Sequence, residues 1–299
     1  MIVIRACRGF EELQACVDME IEVWGYSDGD IIPRRAFLVA QKIGGQAIGA
    51  FDTSLPGAPA DGDARSMVGF ALSLPGVKTL MQGGRAVPES YLHSHMLAVR
   101  EGYRNQNIGA RLKLAQRDEA LSRGIRRIEW TFDPMEIKNA FLNIHKLGAV
   151  VRRYEENFYG VSSSRLQGGL QTDRLVAEWW LDSERVIFAI EGSRRSNESA
   201  KRSPPAYSIE TEIRVPAAVY EWKADDVQRF RAQEVQDANR RDFQKAFSEG
   251  LTVVAFARDV EENGTFQLGH WQEPEVGQAP TRDNRAAVDP TNVFAENLK

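Results

Sequence analysis

Residues 93–109, HSHMLAVREGYRNQNIG, are the stretch from which the fold of this chain can be inferred. They predict a strand whose last apolar residue is Val99, followed by a turn and by a helix that begins near Ile108. The first N–H groups of a helix have no partner within the helix and carry partial positive charge. Because Arg104 supplies charge and Gly109 leaves room for close approach, the turn is a candidate binding site for a pyrophosphate.

Strands and helices alternate on both sides of this stretch over residues 1–160. Along 108–122 the apolar residues recur at helical spacing, and stretches rich in Pro and Gly predict exposed loops at 53–65 and 75–90. The predicted strands are 2–4, 46–52, 66–73, 91–99, 126–132 and 149–159, and the predicted helices are 10–24, 34–43, 108–122 and 136–147. This succession predicts an α/β (α+β) fold with helices flanking a mixed sheet.

The second half of the chain differs in character. Residues 207–215 alternate apolar and polar side chains, as in a half-buried strand, and Asn263-Gly264 is a strong signal for a hairpin turn. The predicted elements are strands at 174–181, 207–215, 251–258 and 265–271 and a long charged helix at 225–249. We therefore predict a first domain at 1–160, a smaller accessory α/β domain at 161–272 and a loosely structured tail at 273–299.

Composition excludes several classes of protein. Of the 299 residues 42% are hydrophobic and 27% charged, so the chain can bury a core. It has 38 basic and 42 acidic residues and a net charge of −4, which argues against a nucleic-acid binder. No apolar run approaches the ~18 residues that span a membrane, and no secretory signal is visible. We expect a cytoplasmic protein in which Cys7 and Cys16 are reduced core thiols.

The central stretch resembles motif A of the GNAT acyltransferase superfamily, Arg/Gln-x-x-Gly-x-Gly/Ala after a strand that ends in an apolar-Ala-Val sequence. Here Leu97-Ala98-Val99 ends the strand, and Arg104-x-x-Asn107-x-Gly109 occupies the motif. Asn107 departs from the family pattern, which has glycine at that position. Asparagine is the residue other than glycine that best tolerates a left-handed backbone. The later Lys146-Leu147-Gly148 is similar to the family's ending of the following helix.

The resemblance implies a sheet that splays apart at the central strand, with the thioester of acetyl-CoA or another acyl-CoA in the gap. Backbone groups of the strand would pair with the pantetheine arm, and those of the turn would hold the pyrophosphate. The residues so implied are Met96, Leu97, Ala98, Val99, Arg104, Asn105, Gln106, Asn107, Ile108, Gly109 and Ala110. Asn139 and Asn143, one helical turn apart and opposite an apolar face, are candidates for contact with the CoA arm. A solvated polar face is the alternative for these two.

His93 and His95 are the candidate catalytic residues. A strand period of two places both on one face of the sheet, and a histidine is suited to take a proton from an ammonium group near neutral pH. The pattern His-x-His-x-Leu-Ala-Val also resembles arylalkylamine N-acetyltransferases, in which two such histidines are implicated in deprotonating the amine through water. The alternatives are two structural histidines or a metal pair, and no metal site is predicted because no third ligand is evident.

The general acid is open at this point. Many family members have a tyrosine four residues before the last glycine of the helix, and here that position is Ile144. Tyr159 or Tyr103 could serve instead, or CoA could leave unaided as the thiolate, since a thiol pKa is near 8.5. Glu129 faces either the acceptor site or a cross-strand charge partner.

The resemblance and the histidine pair together predict an N-acyltransferase, most simply an N-acetyltransferase, that acts on a primary amine of a small molecule. Two alternatives stay open, an amino-acid N-succinyltransferase and a non-catalytic acyl-CoA-binding regulator. We expect a small-molecule amine or amino acid as partner, no nucleic acid and no membrane, and a homodimer is possible.

Overall fold

The computed structural model describes residues 1–26, 29–82, 84–160, 162, 164, 167–194 and 207–272, so the tail predicted at 273–299 lies outside the described residues. The strands are β1 (Ile2–Ala6), β2 (Gln46–Asp52), β3 (Met67–Gln82), β4 (Arg85–Val99), β5 (Arg127–Phe132), β6 (Val150–Glu155), β7 (Arg174–Trp180), β8 (Ile209–Val215), β9 (Thr252–Arg258) and β10 (Gly264–Gly269). The helices are α1 (Gly9–Trp24), α2 (Arg34–Lys42), α3 (Ile108–Ser122), α4 (Ile137–Ala140), α5 (Glu184–Arg194), α6 (Val219–Ala224) and α7 (Arg229–Ser248). A π-helical segment, Phe141–Lys146, continues α4 and is called the π segment below. None of the described helices is long and apolar enough to cross a membrane.

The ten strands in the described part of the chain belong to one mixed sheet with the order β1-β2-β3-β4-β5-β7-β6-β9-β10-β8. The β4–β5 pair is parallel, and the other pairs are antiparallel. Helices cover both faces, so the predicted α/β (α+β) class is confirmed.

The predicted boundary at residue 160 falls within this sheet. Strand β7, which follows that boundary, lies between β5 and β6 and pairs with both of them. The link to the last three strands is narrower, because β6 pairs with β9 only at Val151 and Val253. One large buried cluster nevertheless contains Trp179 of β7, Phe243 of α7 and Phe266 of β10. The two halves therefore share a core rather than forming two separate sheets.

Two smaller clusters position the central strand. Helices α1 and α2 pack on one face of β2, β3 and β4, in a cluster that includes Met96 and Ala98. Helix α3 packs on the opposite face, where Leu97 and Val99 adjoin its buried Leu112. Both Cys7 and Cys16 are free and buried in the first cluster, as predicted for core thiols.

The prediction of a loop at 75–90 is wrong. Strands β3 and β4 continue through it as a long antiparallel ribbon that pairs Lys78 with Glu89 and Gln82 with Arg85. Much of this ribbon is solvent-exposed, with Val77 70% accessible. Because neither face of the ribbon is deeply buried, its sequence lacks the hydrophobic alternation from which strands are predicted.

Two predictions in the second half need correction. The hairpin between β9 and β10 forms, but through residues 259–263, and it is Glu262 rather than Asn263 that takes the left-handed backbone, with φ 64°. The Asp259 carboxylate accepts hydrogen bonds from two backbone N–H groups of this loop and so fixes the longer turn. The helix predicted at 225–249 forms as α7 but begins only at Arg229, because Asp225 turns the chain by accepting from the Val227 N–H, and the short helix α6 before it was not predicted.

Candidate functional site

The sheet splays where β4 and β5 meet. The two strands are paired only at Leu92 with Ile128 and at His93 with Glu129, and beyond these pairs they separate. On its other edge β4 stays paired with β3 up to Val99. The β5-facing backbone groups of 94–99 therefore have no strand partner among the described residues. An unpaired strand edge of this kind can accept an extended chain by main-chain hydrogen bonds.

A β-bulge lies at the start of this free edge. Leu72 pairs with Met96 and Ser73 with Ser94, so His95 is the extra residue of β4. The bulge reverses the alternation of the strand. Ser94 faces α3 before it, whereas the odd-numbered Leu97 packs toward α3 after it.

Residues 104–107 form an exposed turn before α3. Asn107 precedes the helix with φ 63° and ψ 9°, and Asn105 also has φ 63°. Asparagine thus takes the left-handed conformation at 107 that the sequence predicted it would tolerate. The side chains of Arg104 and Gln106 donate to the carbonyls of Val99 and Gly102 at 3.3 and 3.1 Å, so they brace the turn from within.

The amino terminus of α3 has free donors. Its first intrahelical bond runs from the Arg111 N–H to the Asn107 carbonyl at 3.0 Å, which leaves the N–H groups of residues 108–110 without helical acceptors. Lys146 Nζ donates to Asn107 Oδ1 at 3.4 Å and adds positive charge beside them. This end of the helix has the donors and the charge that a phosphate group requires.

Gly109 is required neither by the backbone nor by packing. Its φ is not positive, and a Cβ built on it would make only ordinary contacts, 3.5 Å to Leu97 Cδ2 and 4.0 Å to Leu142 Cδ2. A larger residue would therefore extend into the space outside the helix terminus without displacing its neighbours.

His93 and His95 lie side by side at the bulge, and their ring centroids are 5.9 Å apart. Burial lowers the pKa of His93 to about 4, an effect that His95 reinforces and Glu129 opposes. Burial also lowers the pKa of His95. Both rings are therefore neutral near pH 7 and can accept a hydrogen bond or a proton. Within the described part of the chain no three His, Cys, Asp or Glu residues are grouped so that they could hold a metal ion.

Glu129 is a charge partner within the sheet. Its buried carboxylate contacts Lys78, lies 2.9 Å from Arg153 Nη2 and is 3.5 Å from Arg127 Nε. Burial alone would raise the pKa of Glu129, but the hydrogen bond from Lys78 and the three positive charges lower it. Of the two readings that the sequence left open, the cross-strand charge partner is the one observed.

The polar face predicted for Asn139 and Asn143 does not form. Asn139 is exposed, whereas Asn143 is only 4% accessible. The reason is the π segment, where the N–H of Leu147 bonds to the carbonyl of Leu142 five residues earlier and widens the turn. Ile144 is buried in the large cluster.

The two tyrosines considered as general acids lie in different places. The Tyr159 hydroxyl is 2.9 Å from Thr131 Oγ1 on β5, near the splayed gap. Tyr103 instead donates to Asp52 Oδ2 of β2 at 3.0 Å, away from β5. Of the two, Tyr159 is the one whose hydroxyl contacts a strand that borders the gap.

A cavity of about 780 Å³ adjoins the amino terminus of α3. It lies between α3, the π segment, α5 and β9, and its lining is mostly apolar. The positively charged side chains in its wall are Arg111, Lys146 and Arg185. The sequence did not predict it, because α5 and β9 approach α3 only through long-range packing.

Comparison with known proteins gives structural likeness alone. No family model matches the chain, and no curated protein matches it. Similar solved structures include NAA60 of Arabidopsis thaliana in complex with acetyl-CoA, with 14% identity, a TM-score of 0.49, and coverage of 61% of this chain and 100% of that one. Another is the ribosomal-protein-S18-alanine N-acetyltransferase of Escherichia coli, with 15% identity, a TM-score of 0.43, and coverage of 61% and 96%. A third is an acetyltransferase of the GNAT family from Streptococcus pneumoniae, with 17% identity, a TM-score of 0.41, and coverage of 60% and 98%. The order of the strands and the splay between β4 and β5 show that the chain has the splayed mixed sheet implied by its resemblance to the GNAT superfamily.

Proposed function

We propose that this chain is an acyl-CoA-dependent N-acyltransferase that acts on a primary amine of a small molecule. The observation that carries the proposal is the free edge of β4, which runs from the bulge at His95 toward the exposed amino terminus of α3. A pantetheine arm can pair with this edge while the pyrophosphate binds the N–H groups at 108–110. The adjoining cavity has room and positive charge for further parts of the nucleotide.

The proposed reaction is a direct transfer. The amine nitrogen attacks the thioester carbonyl, the carbon–sulfur bond breaks and CoA leaves as the thiolate. The neutral rings of His93 and His95 take the proton from the amine, directly or through water. Cys7 and Cys16 are buried in the cluster between α1, α2 and the sheet, which supports a mechanism without an acyl-cysteine intermediate. A backbone N–H on the free edge of β4 would polarise the carbonyl.

One observation favours a second candidate function, that of a non-catalytic acyl-CoA-binding protein. Ile144 is buried where the resemblance leads us to expect a tyrosine acid, and the π segment contains no tyrosine. Tyr159 supports the enzyme instead, because its hydroxyl reaches β5 at Thr131. Thiol release in the presence of acetyl-CoA or succinyl-CoA and a panel of amines distinguishes the two candidates.

The test of CoA binding is Gly109→Val. Its branched side chain would block approach to the amino terminus of α3, while the fold tolerates a Cβ there. We expect affinity for CoA, measured by calorimetry, to fall by at least about tenfold, since charge-assisted hydrogen bonds to the pyrophosphate are lost. Gly29→Val is the matched control, because nothing lies within 4 Å of a Cβ at that position. Unchanged affinity in a folded Gly109→Val protein would contradict the proposed site.

A further inference from the structure

Lys113 of α3 is buried beneath the point where β4 and β5 separate. Lys113 is only 4% accessible, and its Nζ donates a hydrogen bond to Ser94 Oγ at 2.8 Å. The same Nζ lies 3.7 Å from the ring centroid of Trp130. Ser94 and Trp130 directly follow His93 and Glu129, the last paired residues of the two strands. The amino group of Lys113 therefore bridges β4 and β5 at the apex of the gap.

The cluster around Lys113 has more hydrogen-bond donors than acceptors. The amino group of a lysine has two N–H donors when neutral and three when charged, and Ser94 Oγ is the one hydrogen-bond acceptor that it has among the described residues. Gln116 is fully buried beside it and accepts from Ser94 Oγ through Oε1 at 3.0 Å, but its Nε2 has no acceptor. Within the described ranges no carboxylate lies within ion-pair distance of Lys113. Burial accordingly lowers the pKa of Lys113 well below its ordinary value.

Another buried lysine shows the contrast. Lys223 of α6 is 6% accessible, and its Nζ lies 3.0 Å from Asp133 Oδ2 and 3.2 Å from Glu136 Oε1. There the chain supplies the counter-charge that a buried cation requires. At Lys113 it supplies an aromatic ring and a hydroxyl group. The missing acceptor at the apex of the gap is what a ligand would provide.

We infer that Lys113 and Gln116 form a subsite for the terminal carboxylate of the transferred acyl group, so that the preferred donor is the CoA thioester of a dicarboxylic acid. The inference rests on the proposed function, because that function places the thioester in the gap between β4 and β5. A carboxylate is an acceptor-only group with two oxygens. It would accept from Nζ and from Nε2 together, whereas an acetyl group ends in a methyl group and has no terminal oxygen to accept from them.

The test measures binding and needs no acceptor amine. Succinyl-CoA, the length-matched butyryl-CoA, acetyl-CoA and unacylated CoA are titrated into the wild-type protein, Lys113→Met, Gln116→Met and the control Lys245→Met. Lys245 is exposed on α7, so its replacement makes the same change in charge far from the gap. We expect the wild type to bind succinyl-CoA at least about tenfold more tightly than butyryl-CoA, as for a hydrogen-bonded charged group. This preference for succinyl-CoA over butyryl-CoA should be lost in Lys113→Met, be smaller in Gln116→Met and be unchanged in Lys245→Met.

The arms separate the two levels of the proposal. Equal wild-type affinities for succinyl-CoA and butyryl-CoA, or an unchanged ratio in folded Lys113→Met, would overturn the carboxylate subsite while CoA binding left the proposed function standing. If unacylated CoA itself does not bind the wild type, the proposed function fails, and the subsite fails with it.

Discussion

The two faces of the sheet differ at the point where β4 and β5 separate. On the face that carries His93, the buried Glu129 is surrounded by the positive charges of Lys78, Arg127 and Arg153. On the face covered by α3, Lys113 is buried without an anion among the described residues. In the first arrangement the chain itself supplies the counter-charges of the buried carboxylate. The second leaves donors unused, and so it is the face on which we place the carboxylate of the acyl group, opposite the histidines that we assign to proton transfer.

The largest effect should come from removing the strand that completes the charged face. Glu178 of β7 pairs with Arg152 and Arg153 of β6, and β7 lies between β5 and β6. Truncation after Gly160 removes β7 to β10, leaves β5 and β6 without their neighbours on that side and leaves these arginines without Glu178. We expect an insoluble 1–160 fragment, measured as the soluble fraction after expression. A soluble fragment with full activity would show that the charged face is dispensable.

Local patterns predicted the elements that lie around the site. Helix α3 begins at Ile108 and ends at Ser122 as expected. Its bounds could be predicted because they depend on residues close together in the sequence, the apolar stripe of the helix and Gly124, which has φ 79°. The insertion of β7 beside β5 was not predicted, since strand order depends on pairing between residues far apart in sequence. For the same reason, local sequence patterns could not predict whether the region after 160 forms an independent unit.

The site was predicted only in part for the same reason. The motif located the turn, the free strand and the two histidines, whose spacing of two residues brings their rings together. The motif did not predict that Lys113 is buried, because a lysine in a helix with many charged residues is expected to be exposed unless the packing of the helix is known. Asn143 was misplaced because a π turn has no recognisable sequence pattern here. The features that could not be predicted from the sequence are therefore long-range packing and irregular backbone.

A stability comparison tests the two faces directly. Glu129→Gln removes the anion from three cations, and we expect the free energy of unfolding to fall by about 3–5 kcal/mol, the usual cost of breaking a buried ion pair. Lys113→Met removes a buried amine with no ionic partner, so the free energy of unfolding should stay unchanged or rise. Urea denaturation of both variants measures the difference. A larger loss in Lys113→Met than in Glu129→Gln would reverse the comparison.

The smallest of the expected effects concerns the histidines on the charged face. Replacing His93 or His95 with glutamine keeps hydrogen-bonding capacity but removes the basic ring. We expect kcat to fall by about 10²-fold near neutral pH, with recovery as the pH approaches the acceptor's own pKa, and affinity for CoA to stay unchanged. His270→Gln is the control, since His270 is exposed at the end of β10. Wild-type rates in both variants across pH 6–9 would mean that the histidines are structural, and Glu129 is then a poor substitute because three cations hold its proton affinity low.

The pH dependence sharpens this prediction. Because burial lowers the pKa of His93 to about 4, the ring is already neutral at pH 6, and between pH 6 and 9 the wild-type rate should show no limb from the titration of this histidine. The same shift links to stability. The unfolded chain takes up this proton near pH 6.5 and the folded chain only near pH 4, so the contribution to stability is complete above pH 6.5 and declines as the pH falls toward 4. His93→Gln removes the linkage, and its Tm should fall less than that of the wild type between pH 7 and pH 4.5. An equal fall in the two proteins, together with a rate limb near pH 6.5, would show that His93 is solvated and titrates as an ordinary surface histidine.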